Sequence, residues 1–172
     1  MTANTAKRRF SLGCFRPYGG PEGIAALFGL PGEIRRLAGT AGSFTRAVRE
    51  YTGHPVEVRR LHEGWRDHQP GRWPVPRATR VWERRVRLES GDFRVDALTE
   101  VAGINGPIPP RLRRAITGLA DTPLLEVLER QPHCRRTRFQ VRREGHIITR
   151  ETVYRIHLAR VRVTEWFEID QR

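Results

Sequence analysis

Near its end the chain carries one charged residue out of step with its neighbours. Val161-Arg162-Val163-Thr164-Glu165-Trp166-Phe167 alternates with the period of a half-buried strand. Val161, Val163, Glu165 and Phe167 share one face, so Glu165 sits among apolar side chains on the face that points inward. A carboxylate there needs a partner, because an unpaired buried charge is expensive. A second charge has the same character. From Thr79 to Leu88, one face carries Trp82, Arg84, Val86 and Leu88, which places Arg84 inward. Two readings are open. Arg84 and Glu165 pair directly and set the register of a sheet, or they stand at two ends of a pocket for a small polar anion. In the second, arginine takes a carboxylate and glutamate meets a hydroxyl or a developing charge.

Other reactive residue types show no matching spacing. The six histidines (54, 62, 68, 133, 146 and 157) form no HExxH or other metal-ligand pattern. Ser11, Ser43 and Ser90 lie in no GxSxG elbow, and Ser43 fits a helix cap. Gly103-Ile104-Asn105-Gly106-Pro107 lacks the lysine and hydroxyl residue of a phosphate loop. Cys14 and Cys134 stand alone and read as free thiols. Trp65 and Trp73, with Arg66 and Arg72, offer a stacking surface for bases, although aromatic loop residues more often cover a core edge.

These residues must be held by the elements around them. Residues 1–20 are polar and glycine-bearing and read as a loose arm; 21–172 reads as a single domain. Short helices are expected over Pro21–Phe28, after Pro31, and from Phe44 to Tyr51 with Ser43 as cap and Gly53 as stop. From His54 the period becomes two: Val56, Val58 and Arg60 alternate with Glu57, Arg59 and Leu61. A loop is expected from Gly64 to Pro76, then the Arg84 strand, a tight turn at Ser90-Gly91-Asp92, and a strand from Phe93 to Val101. Helices over Pro110–Leu119 and Leu124–Glu129 follow, the second capped by Asp121 or Thr122. Short strands over Arg138–Arg142 and Thr152–Leu158 precede the last strand. The turn into it, His157 to Arg160, carries no glycine or asparagine. The sum is an α+β domain on a single antiparallel sheet of about six strands.

The net charge is +13, and Lys7 is the only lysine among 32 basic residues. The arginines are spread along the strands, with no basic tail, zinc-finger spacing or RNP-like motif, which argues against a nucleic-acid partner. Arginine also suits a small anionic substrate. No run approaches a membrane span, and the start has no apolar segment of signal-peptide quality, so a cytoplasmic location is expected.

Four segments, in order, carry a family resemblance. They are Gly42-Ser43-Phe44-Thr45-Arg46 followed by Gly53-His54-Pro55-Val56-Glu57-Val58; Val81-Trp82-Glu83-Arg84-Arg85-Val86-Arg87-Leu88; Asp121-Thr122-Pro123-Leu124-Leu125-Glu126-Val127-Leu128; and Tyr154-Arg155-Ile156 through Val163-Thr164-Glu165-Trp166-Phe167. Together they resemble the chorismate pyruvate-lyase family, which releases pyruvate from chorismate to give 4-hydroxybenzoate. The resemblance runs from about Pro21 to the end. It implies helices packed on one side of the sheet and helical flaps over a buried ligand pocket. It implies that Arg84 holds the ring carboxylate together with backbone groups at Phe44 and Leu124, and that Glu165 meets the ring 4-hydroxyl. It also implies no cofactor and no metal; a monomer or homodimer is expected.

The chain departs from that pattern at two places. Leu125 stands where the family has glycine, and Leu98 stands where its third strand has a second arginine; Arg94 or Arg60 are the expected substitutes for the enolpyruvyl carboxylate. These departures favour, as the alternative, an enzyme of the same fold turned to another cyclic carboxylate or ring-forming step in secondary-metabolite biosynthesis. A small-molecule-sensing regulator domain is the remaining reading. It would follow a helix-turn-helix domain, and the helices before Ser43 are too short for one.

Overall fold

The computed structural model describes residues 27–40, 42–68, 80–119, 122–129, 131 and 133–169. The expected arm, most of the Pro21–Phe28 helix, most of the Gly64–Pro76 loop and the Asp121 cap lie outside them.

The described elements are α1 (Gly32–Gly39), α2 (Phe44–Thr52), β1 (Glu57–Asp67), β2 (Arg80–Ser90), β3 (Phe93–Gly103), α3 (Pro110–Thr117), α4 (Leu124–Glu129), β4 (Cys134–Glu144), β5 (Ile147–Ile156) and β6 (Ala159–Glu168). The six strands form one antiparallel sheet in the order β1-β2-β3-β6-β5-β4. It is two three-stranded meanders joined along β3 and β6, so the last strand in sequence is central in space. The α+β class with a single antiparallel sheet is as the sequence pattern indicates.

The inner face explains how the site is framed. At one end of the strands, Leu88, Val95, Ile148 and Phe167 pack with Ile34 and Leu37 of α1 and Phe44 and Val48 of α2. At the other, Trp82, Val101, Ile156 and Val161 pack with Leu112 and Ile116 of α3 and Leu128 of α4. Fully burying one such side chain contributes about 1.5–3 kcal/mol. Each helix presents its apolar residues at helical spacing, and the two cores cover the two ends of the same face. Between them every inner strand changes character at mid-length. β2 reads Trp82, Arg84, Val86, Leu88, and β6 reads Val161, Val163, Glu165, Phe167. Polar residues therefore collect in the gap between two apolar clusters.

The outer face carries the kind of structural ion cluster that was one reading of the Arg84–Glu165 pair. Glu100 of β3 is 1% exposed and accepts from Arg66 of β1 on Oε1 and from Arg162 of β6 on Oε2, the latter at 2.6 Å from Nε. Arg66 also donates to Glu83 at 2.7 Å, and Arg85 donates to the other Glu83 oxygen at 3.0 Å. Burial alone would raise the Glu83 carboxyl, but the hydrogen bonds and charges of Arg66 and Arg85 outweigh it and hold it below its ordinary value. One cluster thus ties four strands together.

Several boundaries differ from expectation. β1 does not stop before Gly64 but continues to Asp67, because a bulge between Arg60 and His62 resets its register and lets it pair with β2 as far as Arg80. β4 and β5 are longer than the two short strands expected and meet at a Gly145-His146 turn, with Gly145 at φ +61°. The β5–β6 turn is His157-Leu158, with His157 at φ +50°, a conformation histidine enters more readily than most residues. The last residue of β3, Gly103, is glycine for a steric reason: a Cβ there would lie 1.9 Å from the Gly106 carbonyl oxygen.

Candidate functional site

Arg84, Phe44, Leu124 and Glu165 all line one cavity of about 80 Å³ between the two cores. Arg84 comes from β2, Ala97 and Thr99 from β3, Val163 and Glu165 from β6, and Arg150, Thr152 and Tyr154 from β5. Two helix starts complete the lining, Gly42–Thr45 at α2 and Thr122–Leu124 at α4. The α2 start is shaped by Ser43, whose hydroxyl accepts from the Arg46 N–H at 3.3 Å, as expected of a cap.

Arg84 and Glu165 face the same cavity without forming an ion pair with each other. Glu165 stands opposite Ala97, and Ala97 opposite Val86, two residues from Arg84. With strands ~4.8 Å apart and a rise of ~3.3 Å per residue, their Cα atoms are about 12 Å apart. Arg84 is 3% exposed, and its Nε lies 3.9 Å from Glu63 Oε2, beyond hydrogen-bond length. The direct-pair reading of Arg84 and Glu165 is therefore corrected.

The partner of Glu165 is Arg150, its cross-strand neighbour on β5. Arg150 is 2% exposed and donates Nη1 to Glu165 Oε2, Nε to the Ala38 carbonyl at 2.8 Å and Nη2 to the Thr40 carbonyl at 2.8 Å. Its guanidinium carbon lies 3.9 Å from the centroid of the Phe44 ring and 5.3 Å from that of Phe139. Sequence reasoning missed Arg150 because β5 was read as starting at Thr152. The signal was there: Ile148, Arg150, Thr152, Tyr154 and Ile156 alternate back to Gly145.

Burial dominates the electrostatics. It pushes the Glu165 carboxyl above its ordinary value, and the charge of Arg150 offsets this only in part. Burial lowers Arg150, opposed by Glu165 and Tyr154, and an arginine so placed keeps its charge. Tyr154 is raised by burial and then by the Glu165 charge, so it remains a phenol able to donate a proton in a hydrogen bond.

The residues expected to replace a second arginine do not reach the cavity. Leu98 faces the opposite side of the sheet, beside Leu61, Arg85 and Trp166, and the β3 residues that line the cavity are Ala97 and Thr99. Arg94 is exposed, and Arg60 lies at the surface 3.7 Å from Glu63. A strand alternates its faces, so a one-residue register error moves a side chain to the other side. The cation that the cavity does gain is Arg150.

Among the described residues, no group of three or more His, Cys, Asp or Glu is placed to hold a metal, and no helix is long and apolar enough to cross a membrane. No family model matches the chain, and no curated protein matches it.

Proposed function

We propose that the chain is a cofactor-independent carbon–oxygen lyase that eliminates pyruvate from chorismate to give 4-hydroxybenzoate. One observation carries this reading. Four residues singled out in four separate segments, Phe44, Arg84, Leu124 and Glu165, line a single cavity with a cation and a carboxylate well apart. In the proposed complex Arg84 takes the ring carboxylate through its planar fork. The backbone at Phe44 and Leu124 completes that contact, and the helix starts cover the ring. Glu165 meets the ring hydroxyl.

The chemistry suits such a site. The enolpyruvyl C–O bond breaks, the hydroxyl-bearing ring carbon loses its proton, and the enolpyruvyl methylene gains one, so the products are an aromatic acid and pyruvate with no redox change. Aromaticity supplies driving force, and the protein need only enclose, orient and present fixed charges. A carboxyl raised by burial can share a proton with the ring oxygen as charge shifts. A pH–rate profile of Glu165→Gln identical to the parent's would remove Glu165 from this role.

Incubation of the purified protein with chorismate tests the reading. The expected result is equimolar pyruvate and 4-hydroxybenzoate; no pyruvate above the uncatalysed rate overturns it. A second reading, an enzyme of the same fold acting on another cyclic carboxylate, draws on the β3 lining. Ala97 and Thr99 present no charge there, and Arg150 is engaged by Glu165. Pyruvate with 3-hydroxybenzoate would keep the lyase class and change the product.

A further inference from the structure

The cavity contains one residue whose bonds run in more than one direction. Three nitrogens of the Arg150 guanidinium are committed, one to the Glu165 carboxylate and two to the carbonyls of Ala38 and Thr40, more than 100 residues away in sequence. Those carbonyls are at the C-terminal end of α1, where the last turn leaves acceptors unpaired and favours a cation. Gly42, two residues beyond Thr40, begins the segment that lines the cavity, and the Phe44 ring lies beneath the same guanidinium carbon.

We propose that Arg150 is a positioning residue that joins the Glu165 carboxylate, the Ala38 and Thr40 carbonyls and the Gly42–Phe44 helix start, so that the carboxylate and the covering helix start are set together. Geometry alone motivates this: an arginine fork can hold a carboxylate and two carbonyls in one plane, and no other described residue bonds to both. The groups around the pair are Tyr154 from β5, Arg136 from β4, and Arg84 from β2 across the cavity with Glu63 of β1 behind it. Among the described residues of α1, α2 and α4, the groups that line it are uncharged: the Ala38 and Thr40 carbonyls, Ser43, Phe44, Thr45, Leu124 and Leu128. Among the described residues Arg150 is the one cation bonded to Glu165, so it sets that residue's orientation and titration. The catalytic consequence rests on the proposed reaction, but the assignment is tested without substrate.

The test follows two readouts in the full chain and in Arg150→Met and Arg150→Lys. The first is the Glu165 carboxyl titration by carbon NMR, assigned by its loss in Glu165→Gln. The second is amide hydrogen exchange over residues 42–48. In Arg150→Met the titration is expected to rise by roughly one to three units, because an opposite charge has gone. Exchange is expected to quicken roughly tenfold or more, because two hydrogen bonds from a charged donor have gone. Arg150→Lys is expected to recover most of the titration but not the slow exchange, since an ammonium keeps the charge and lacks the fork. Either readout unmoved in Arg150→Met overturns the proposal, as does a lysine variant that rescues both or neither. Global unfolding of both variants also overturns it, since the residue would then hold the fold and not a local unit. Failure of chorismate turnover in the parent would leave both readouts standing and count against the reaction alone.

Discussion

Glu100 and Glu165 are buried glutamates on adjacent central strands, one on each face of the sheet. Glu100 has an arginine on each oxygen. Glu165 has one oxygen on Arg150 and, among the described residues, no bond to the other, and it borders a cavity. Burial alone therefore does not separate a structural carboxylate from one proposed to react. What separates them is whether the carboxylate's acceptor capacity is used up. A carboxylate with both oxygens engaged is a strut, whereas one with an oxygen left over beside open space can still bind or move a proton.

Breaking each side of this comparison gives different losses. The largest is expected in turnover: Glu165→Gln should lower kcat for pyruvate release by about 10²- to 10⁴-fold, the usual weight of a positioned acid–base group. Glu100→Gln should leave kcat near the parent value. Steady-state assays of both variants check this, and equal losses would erase the distinction. The order reverses for stability. Glu100→Gln leaves two arginines facing one neutral amide and should cost about 3–5 kcal/mol in urea unfolding. Glu165→Gln should cost less, because one arginine and not two loses its counter-charge, and Arg150 keeps the Ala38 and Thr40 carbonyls.

A third, smaller effect concerns pH. The folded pKa of Glu165 is raised, so between the unfolded value of ~4.3 and the folded one the native state holds the proton that the unfolded chain has lost. Its contribution is therefore complete below the unfolded value and is lost as pH rises through the folded value. Unfolding midpoints of the parent should fall over that window, and the fall should vanish in Glu165→Gln. A window unchanged by that substitution would assign the slope to other groups. The smallest effect is at the surface: removing the exposed Arg87–Asp96 pair by Arg87→Ala should give no measurable change in Tm.

How much of this was legible in the sequence depended on contrast. Glu165 stood out because Val161, Val163 and Phe167 surround it with apolar residues at period two, and Arg84 because of Trp82 and Leu88. The capped start of α2 and the helical spacing of Leu112 and Ile116 were legible for the same reason, since local chemistry alone determines them. Arg150 was hidden: in a chain with nearly all its basic residues arginine, an inward arginine looks like an outward one, and β4 beside it offers little apolar contrast. The far half of β1 was hidden because a bulge shifts its alternation, and pairing with β2 sets its length. The Glu100 cluster was hidden because its members come from four strands, and no local pattern reports contacts between them.

The join between the two meanders has a kinetic meaning. β2–β3, β4–β5 and β5–β6 each close through two-residue turns, while β3 meets β6 only after the long excursion through α3 and α4. Local hairpins form in microseconds, and a distant pairing waits on loop closure. The cavity draws its lining from both halves, so it should come into being only at the docking step, late in folding. Truncating Val95, on the β3 side of the join, should then slow refolding only if docking limits the rate. Truncating Ile148, within the second meander, would slow it only if that meander forms first. Stopped-flow refolding of the two variants would tell these apart, and a late join predicts that the site is the last part of the molecule to assemble and the first to be lost.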